Sequence, residues 1–410
     1  MKKQVIIFIF LVFALLLFNN FLLKQFSYNS AMISSKDLVD KRQINSQKLF
    51  ENSWRIIKNN FYDSSMNHQD WKRWKKHYKG KIKTDEDANV AINTILASLD
   101  DPYSRFLNQK EYADQNISID SKISGIGVNI ASLGGKTYVV SVIEGTPAYK
   151  ANLKVKDIIM KVDGKDISGL EISEVASLVR GKENTTVNLV ILRGKKKIQK
   201  NIIRKEIKIK TVKSSVEKNI GYIQILSFIG SETSEEFIQA LEKTQNTDGL
   251  IIDLRGNTGG LLPNAVFIAN MFIDKGNIVS VVGRNGYRQR FYAQQTDFVI
   301  DKPLLVLVDG GSASASEILS GALKDYHKAK LIGTKTFGKG MVQKIIPMPN
   351  MTGINLTIAK YLTPAGHDIN KIGIEPDIKV DLTQKDILAN DDVQLDTAKA
   401  MMKKMLEKIK

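Results

Sequence analysis

The 410-residue sequence contains no cysteine and only four histidines. The lack of cysteine excludes disulfide bonds, thiolate metal sites and a cysteine nucleophile, and it leaves the compartment open. The scarcity of histidine means that a Ser-His-Asp triad would have to be assembled from scattered residues, and the alternative base for a serine nucleophile is a lysine. We expect neither a metal nor a cofactor.

Acidic residues are also fewer than basic ones. The sequence has 43 acidic and 60 basic residues, which gives a formal net charge of +17. Such a charge can serve nucleic acid, an anionic membrane surface or a cell-wall polymer. The lysines are scattered along the chain, however, so a general compositional bias explains the charge at least as well as a dedicated patch does. We therefore expect no nucleic-acid partner.

A long hydrophobic run lies at the N-terminus. Two lysines precede an unbroken apolar stretch at residues 5–18, which suits a signal peptide, and residues 5–23 come close to the ~20 residues that span a bilayer. The lysines should stay cytoplasmic, and no small-x-small cleavage site follows immediately. We expect residues 1–26 to be a signal peptide or, preferably, an uncleaved membrane anchor. The protein would then be extracytoplasmic, in the periplasm or at the cell surface.

The spacing of apolar residues changes along the rest of the chain. Apolar residues recur at helical spacing from Leu49 to Leu99, where Asp85 is a candidate helix cap, and short apolar stretches broken by glycine follow, ending with the single strand "EIKIKTV". Strands and helices then alternate, which predicts a layered α/β sheet. We expect these segments: a linker and helical region at 27–107, a β-rich unit at 118–205, a layered α/β unit at 206–385 and a closing helical segment at 386–410.

The stretch "GGSASASEI", residues 310–318, is unusually rich in small residues. It follows the strand "PLLVLVDGG" and begins a helix near Ser314, where free N–H groups and the positive helix end can stabilise an oxyanion. Small neighbours leave space for a substrate backbone. Ser314-x-x-Glu317 is also a capping box, in which the serine satisfies the first helical turn. The segment alone therefore leaves a nucleophile and a structural cap both open.

A base for Ser314 is offered by "TFGKGMVQ", where Lys339 lies between two glycines. Burial would have to lower the pKa of this lysine by a few units from ~10.4 before a useful fraction were neutral near pH 7. Gln343, four residues later, could orient the lysine without adding negative charge. A solvated turn lysine is the alternative. The glycines of "DLRGNTGG", residues 253–260, could offer backbone N–H groups to an oxyanion, and they lack the spacing of nucleotide-binding loops.

Together these segments closely resemble the carboxy-terminal processing peptidases, also called tail-specific proteases. The resemblance covers roughly residues 45–385. It rests on these segments, in this order: "LDDPYSRFL", "DLRGNTGG", "DGGSASASEI", "ALKDYHKAKLIGTKTFGKGMVQ", "YLTPAGHDI" and "GIEPDIKV". It implies a helical N-terminal region, a PDZ domain and a catalytic domain with a layered α/β fold like that of ClpP and crotonase.

The resemblance also implies site residues. Ser314 would be the nucleophile, Lys339 the general base and Gln343 the residue that orients the base. The oxyanion hole would use the backbone N–H groups of Ala315 and of Gly260, with Gly259 as second choice. In the PDZ domain, a loop would grip the carboxylate of the substrate's C-terminus with successive backbone N–H groups. The residues of that loop are Gly125, Ile126, Gly127 and Val128.

The sequence therefore predicts an exported serine endopeptidase that cleaves proteins near their C-termini. Its partners would be proteins or peptides with accessible C-termini, the membrane through the N-terminal segment, and an adaptor or regulatory protein. A catalytically silent PDZ scaffold is the alternative from another class, and the presence of Ser314, Lys339 and Gln343 disfavours it. A crotonase-like enzyme is a second alternative, for which the sequence offers no acyl-CoA site.

Overall fold

The computed structural model describes residues 44–119, 122–208, 210–230, 232–294, 300–389 and 391–408. The predicted signal or anchor segment at residues 1–26 lies outside the described residues. Across the part of the chain that is described, no helix has both the length and the apolar character needed to cross a membrane. The chain divides into two compact units: one is Ile117–Ile209, and the other combines the residues before it with those from Lys210 onward.

The discontinuous unit begins with helices and one short strand. These are α1 (Ser46–Asn60), α2 (Lys72–Tyr78), α3 (Asp85–Ala97), β1 (Arg105–Leu107) and α4 (Gln109–Ile119), whose last three residues belong to the other unit. The N-cap of α3 is Thr84, so the prediction that Asp85 caps this helix is wrong. Thr84 Oγ1 accepts the N–H of Asp87 at 3.1 Å and the Asp87 carboxylate accepts the N–H of Thr84 at 2.9 Å, so the Thr-x-x-Asp spacing forms a capping box one residue earlier.

The middle unit, Ile117–Ile209, is a β-rich domain with two short helices. Its elements are β2 (Lys122–Gly125), β3 (Val128–Leu133), β4 (Lys136–Val142), α5 (Pro147–Lys150), β5 (Ile158–Val162), β6 (Lys165–Asp166), α6 (Ile172–Val179), β7 (Thr186–Arg193), β8 (Lys196–Ile203) and β9 (Lys205–Lys208). The main sheet has the order β3-β4-β5-β7-β8, so β3 lies at one edge. Strands β2 and β9 form a separate antiparallel pair.

The stretch "EIKIKTV", expected as one strand, is divided between the two units. Its first part belongs to β9 and pairs with β2, whereas Val212 begins β10 and pairs with Ile225 of the following strand. Local β-propensity is similar on both sides of the division. The partner that each half pairs with therefore decides where the strand ends.

The rest of the discontinuous unit alternates strands and helices. Its elements are β10 (Val212–Glu217), β11 (Ile220–Ile225), α7 (Thr233–Lys243), β12 (Gly249–Asp253), α8 (Leu262–Asn270), β13 (Asn277–Gly283), β14 (Arg288–Tyr292), β15 (Leu304–Val308), α9 (Ala315–Asp325), β16 (Lys330–Gly333), β17 (Met341–Met348), β18 (Thr352–Leu362), β19 (Ile378–Lys379), α10 (Gln384–Ala389) and α11 (Val393–Glu407). The predicted combination of a helical N-terminal region, a β-rich unit and a layered α/β unit is confirmed.

Two sheets organise this unit. The first has the order β10-β11-β12-β15-β16-β19 and is parallel from β11 to β19, and every residue of β12 and β15 is buried because helices cover both faces. The second has the order β1-β18-β13-β14, with β17 also paired to β18. Phe106 of β1 is paired with Ile354 of β18, which ties the N-terminal helical region to this sheet.

The parallel order of β12 and β15 has a consequence for the loops that follow them. Carboxyl ends of neighbouring parallel strands lie at the same edge of a sheet. The loop after Asp253, with "RGNTGG", and the loop after Val308, with "DGGSASAS", therefore meet at one edge.

Candidate active site

Ser314 occupies an unusual backbone conformation at the start of α9. Its φ is 56° and its ψ is −113°, whereas an ordinary N-cap is extended, as Asn45 is before α1 with φ −70° and ψ 157°. Such a conformation costs on the order of 1–3 kcal/mol in a non-glycine residue. Ser314 is half-buried while Ala313 and Ala315 on either side are buried. The predicted capping box is present, but the serine is not an ordinary cap.

The buried carboxylate of Glu317 fixes this conformation. Its Oε2 accepts the backbone N–H of Ser314 at 2.9 Å and the backbone N–H of Lys339 at 2.9 Å. The two nitrogens therefore cannot be further apart than twice that distance. Oε1 accepts the N–H of Gly338 at 2.8 Å and the hydroxyl of Thr336 at 2.6 Å. Glu317 thus joins the serine segment to the lysine segment, a role that sequence reasoning missed because it treated Glu317 only as a helix cap partner.

The hydroxyl of Tyr361 on β18 makes a second link between the same two residues. It lies 3.1 Å from the carbonyl oxygen of Ser314 and 2.5 Å from that of Lys339. Burial raises the pKa of Tyr361 well above its usual value, so the phenol stays protonated and can donate. The backbones of Ser314 and Lys339 are therefore held together by both a carboxyl acceptor and a phenol donor.

Lys339 is half-buried, and burial lowers the pKa of its amine. No carboxylate of the described residues counteracts this shift. The Nζ atom lies 5.1 Å from the centre of the Tyr103 ring, a cation–π distance. Burial of the amine, with no ion pair to a carboxylate of the described residues, favours the neutral form that a general base must have.

Gln343 lies on β17, opposite Thr357 of β18, just after an irregularity in the strand register. Its side-chain nitrogen donates to Thr357 Oγ1 at 3.4 Å. In the part of the chain that the structure describes, no hydrogen bond joins Gln343 to Lys339. The orientation of the lysine by this glutamine stays a prediction.

The turn with the two predicted oxyanion glycines lies directly against the serine. Gly259 has a φ of +100°, and a Cβ atom there would come within 2.8 Å of Ser314 Cβ and 2.9 Å of the Ala315 nitrogen. Only glycine fits this approach. The N–H of Gly259 already donates to Asn257 Oδ1 at 2.9 Å, whereas the N–H groups of Gly260 and Ala315 donate to no other described residue. The free N–H group of Gly260 therefore favours this residue over Gly259 as the predicted oxyanion donor.

Asn257 is a further residue that sequence reasoning missed. It is fully buried, and its carbonyl oxygen accepts the N–H of Ala313 at 3.0 Å and the hydroxyl of Ser316 at 2.8 Å. Its side chain donates to the Ile225 carbonyl at 2.7 Å and accepts from Gly259. Asn257 therefore connects both loops at the sheet edge. An asparagine between glycines signals a turn, but nothing in the sequence reveals its long-range partners.

No histidine side chain is hydrogen-bonded to Ser314 within the described ranges. His367 lies 4.0 Å from Asp325, at the far end of α9 from the serine, and the other carboxylate oxygen of Asp325 accepts the N–H of Ala365 at 2.8 Å. This aspartate fixes the loop after β18. The structure does not assemble a Ser-His-Asp triad.

In the middle unit, the predicted carboxylate-binding residues line a cavity of about 280 Å³ between β3 and α6. They are Gly125, Ile126, Gly127 and Val128. Gly127 has a φ of +83°, and a Cβ atom there would come within 2.4 Å of the Thr146 side chain. Most of the remaining lining is apolar, and the charged side chain that lines the cavity belongs to Arg180. Sequence reasoning found the loop but not this arginine.

Comparisons with known proteins match three parts of this architecture. Residues 219–380 match the model of peptidase family S41, residues 124–203 match a PDZ domain and residues 45–88 match the Tricorn protease C1 domain. A carboxyl-terminal-processing protease of Synechocystis is 36% identical over 369 residues, which cover 86% of each chain. The carboxy-terminal processing protease CtpA of Bacillus subtilis is 41% identical over 307 residues, covering 73% of this chain and 66% of that one.

Among solved structures, the photosystem II D1 C-terminal processing protease is similar, with 32% sequence identity and a TM-score of 0.58. The match covers 83% of this chain and 94% of that one. The tricorn protease, at 18% identity and a TM-score of 0.52, shares the fold over 88% of this chain and 37% of that one.

Proposed function

The chain belongs to peptidase family S41 and to its carboxyl-terminal processing proteases, which are serine proteases, and from this premise we propose that Ser314 is the nucleophile and Lys339 the general base. The observation that supports this best is the shared acceptor Glu317 Oε2, which holds the backbones of both residues. The structural cap and the nucleophile are then one residue, since a serine at a helix start can still attack a substrate.

In the proposed mechanism, Ser314 Oγ forms a bond to the scissile carbonyl carbon and its proton passes to Lys339 Nζ. The oxygen of the tetrahedral intermediate accepts hydrogen bonds from the N–H groups of Ala315 and Gly260, which have no competing partner among the described residues. The C–N bond then breaks and Lys339 returns the proton to the leaving amine. Water then gives a proton to the same lysine and attacks the acyl carbon, the bond between that carbon and Ser314 Oγ breaks, and Lys339 returns the proton to Oγ.

The lysine needs its present surroundings to do this. At an unperturbed pKa of about 10.4, only on the order of one lysine in a thousand is neutral near pH 7.4. Burial lowers the pKa of Lys339. Oε2 of Glu317 and the hydroxyl of Tyr361 bond to the backbone of Lys339 and not to its amine. Gln343 is proposed to orient the amine when substrate is bound.

We propose that the PDZ domain recognises the substrate's C-terminus. An extended peptide would add to the edge strand β3, with its carboxylate at the loop of residues 125–128 and its apolar side chains in the cavity. Arg180 would add a positive charge beside that carboxylate. The apolar lining supports substrates with uncharged C-terminal residues.

The wider setting rests on the sequence. We propose domain boundaries at 118–205 for the PDZ domain and 206–385 for the peptidase domain, with a helical region before them and a helical segment at 386–410. The apolar run at residues 5–23 supports export and an anchor in the cytoplasmic membrane, with the peptidase outside. An adaptor or regulatory protein is proposed as a further partner.

The test is labelling of the purified protein with a fluorophosphonate probe, together with turnover of a peptide that has a free, apolar C-terminus. We expect the wild type to be labelled and to cleave, and Ser314→Ala to do neither. Ser320→Ala is the matched control, because Ser320 is on the same helix and its buried hydroxyl has no partner among the described residues. Labelling that persists in Ser314→Ala would contradict the assignment. Peptide binding by the wild type without turnover would favour the silent scaffold.

A further inference from the structure

Tyr103 comes from the segment "LDDPYSRFL" between α3 and β1, far in sequence from the peptidase loops. Its ring nevertheless lies 5.1 Å from Lys339 Nζ. Two bonds to β18 fix its position: the Tyr103 carbonyl oxygen accepts from Asn355 Nδ2 at 3.0 Å, and the hydroxyl of Ser104 accepts the N–H of Thr357 at 3.0 Å. The ring is therefore held at the amine by the backbone around it.

We propose that Tyr103 is a positioning residue for Lys339, whose ring face holds the ammonium group that forms when the lysine accepts the proton of Ser314. This inference rests on the proposed function. Through this one side chain, the N-terminal helical region would take part in the proton transfer from Ser314 to Lys339.

The physical reason is that Lys339 must change its charge during each cycle. A carboxylate beside the amine would attract the proton strongly and keep the base charged before the reaction begins. The face of an aromatic ring attracts an ammonium group much more weakly, through its quadrupole, and offers no covalent or acidic chemistry of its own. It can therefore stabilise the charged base in the transition state while leaving the resting amine neutral.

Other titratable groups around the site are consistent with this role. Glu317 Oε2 is engaged by two backbone N–H groups, and Tyr361 is buried with its hydroxyl on two carbonyl oxygens. The carboxylate of Asp101 accepts the hydroxyl of Ser104, and Asp368 pairs with Lys360 at 2.7 Å.

The protonation state of Tyr103 itself is also suitable. Burial, with Asp101 and Glu317 nearby, raises the pKa of Tyr103, so the ring stays a neutral phenol in a neutral or mildly alkaline assay.

The test compares Tyr103→Phe and Tyr103→Leu with the wild type in kcat, KM and the pH dependence of kcat. Tyr103→Phe keeps the ring face and should keep both the rate and the pH profile. Tyr103→Leu should lower kcat about tenfold and move the acid limb to lower pH by about half a unit to one unit, with KM unchanged, because the ammonium loses its stabilisation. Wild-type kcat and profile in Tyr103→Leu would overturn the proposal, as would equal losses in both variants.

Tyr78→Leu is the matched control, since it removes a half-buried ring of the same helical region that packs on Trp74 and Phe50. It should lower thermal stability without moving the pH profile. If Tyr103→Leu does not fold, Tyr103→Trp tests the proposal instead. The indole ring binds a cation more strongly than the phenol ring, so the acid limb of the pH profile should move to higher pH. An acid limb that does not move would overturn the proposal.

Failure of this inference can be told apart from failure of the proposed function. If Ser314→Ala and Lys339→Arg are inactive but the Tyr103 variants behave like the wild type, only the role of Tyr103 is wrong. If Ser314→Ala or Lys339→Arg keeps its activity, the proposed dyad itself is wrong.

Discussion

The peptidase loops and the PDZ loop are both built from short glycine-containing turns, but they are held in opposite ways. Ser314 and Lys339 are fixed by buried polar side chains, above all by Glu317 and Tyr361, each of which contacts both residues. The loop of residues 125–128 offers backbone groups to an open cavity whose lining is mainly apolar.

This difference matches the proposed role of each site. Proton transfer depends steeply on the placement of reacting atoms, and a misplacement of about 1 Å can cost ~10²-fold in rate. Peptide recognition by strand addition tolerates small shifts, because main-chain hydrogen bonds and apolar contacts are distributed along the groove. Substitutions in the first region should therefore reduce kcat, and substitutions in the second should raise KM.

The largest effect is expected from Lys339→Arg. Wild-type activity should rise with pH through the lowered pKa of the lysine, because the neutral amine is the proposed base. A guanidinium stays protonated at any usable pH, so the arginine variant should lose at least ~10³-fold in turnover at every pH from 6 to 10. Lys335→Arg, an exchange at a lysine paired with Glu375 at 2.9 Å, is the control and should stay active. Near-wild-type turnover by Lys339→Arg would show that position 339 supplies only charge.

The next largest effect is expected from Glu317→Gln. The amide keeps the shape of the side chain but replaces one oxygen that accepts two hydrogen bonds with a group that donates. We expect kcat to fall about 10²-fold and the free energy of unfolding to fall by about 2–4 kcal/mol. Activity assays and urea unfolding would measure both. Glu375→Gln, at an exposed carboxylate, should change neither quantity, and an unaffected kcat in Glu317→Gln would remove this residue from the site.

The comparison predicts a smaller, different effect for Gly127→Ala in the PDZ loop. The added methyl group would collide with Thr146, so the loop must move. We expect KM for a peptide with a free C-terminus to rise about tenfold, by analogy with the loss of a few weak hydrogen bonds, while kcat stays within about twofold. Gly134→Ala, at a positive φ of 57° with no atom within 4 Å of the new methyl group, is the control. A fall in kcat alone would show that the loop acts on chemistry instead.

The smallest effect is expected from Arg180→Ala. Because this side chain is exposed at the rim of the cavity, loss of its charge should weaken binding of a C-terminal carboxylate by no more than about fivefold. The difference between Arg180→Ala and the wild type should shrink at high salt. Lys182→Ala, two residues away, controls for net charge. The control ligand is the same peptide with an amidated C-terminus. If the wild type and Arg180→Ala bind this amide with equal affinity, and bind it as tightly as the free acid, Arg180 does not contact the carboxylate.

Sequence reasoning reached the features that leave a local signal. The alternation of strands and helices predicted the layered unit, and the glycine turns predicted the β-rich unit, and both are confirmed. The strand-to-helix turn at Ser314 and the glycines at 259 and 260 are local too, and the structure brings them together. Their assigned roles stay predictions.

What the sequence could not reveal depends on contacts between distant segments. Glu317 has the spacing of a helix cap, and nothing local shows that its second oxygen binds a loop 21 residues later. Strand β1 was included in a helical region because three residues are too few to show a period of two, and only pairing with β18 makes them a strand. The ring of Tyr103 reaches Lys339 through that same pairing.

The pairing of β2 with β9 has a consequence for the way this chain is assembled. Because Lys122 at the start of β2 is paired with Lys208 at the end of β9, these two points of the chain lie about one interstrand spacing apart, roughly 5 Å. The folded segment between them therefore spans no greater distance than a short loop does. Closing a flexible loop of about ninety residues would cost on the order of 2–3 kcal/mol more than closing a turn of four. The folded insertion avoids that entropic penalty, because its own strand pair holds these two points together.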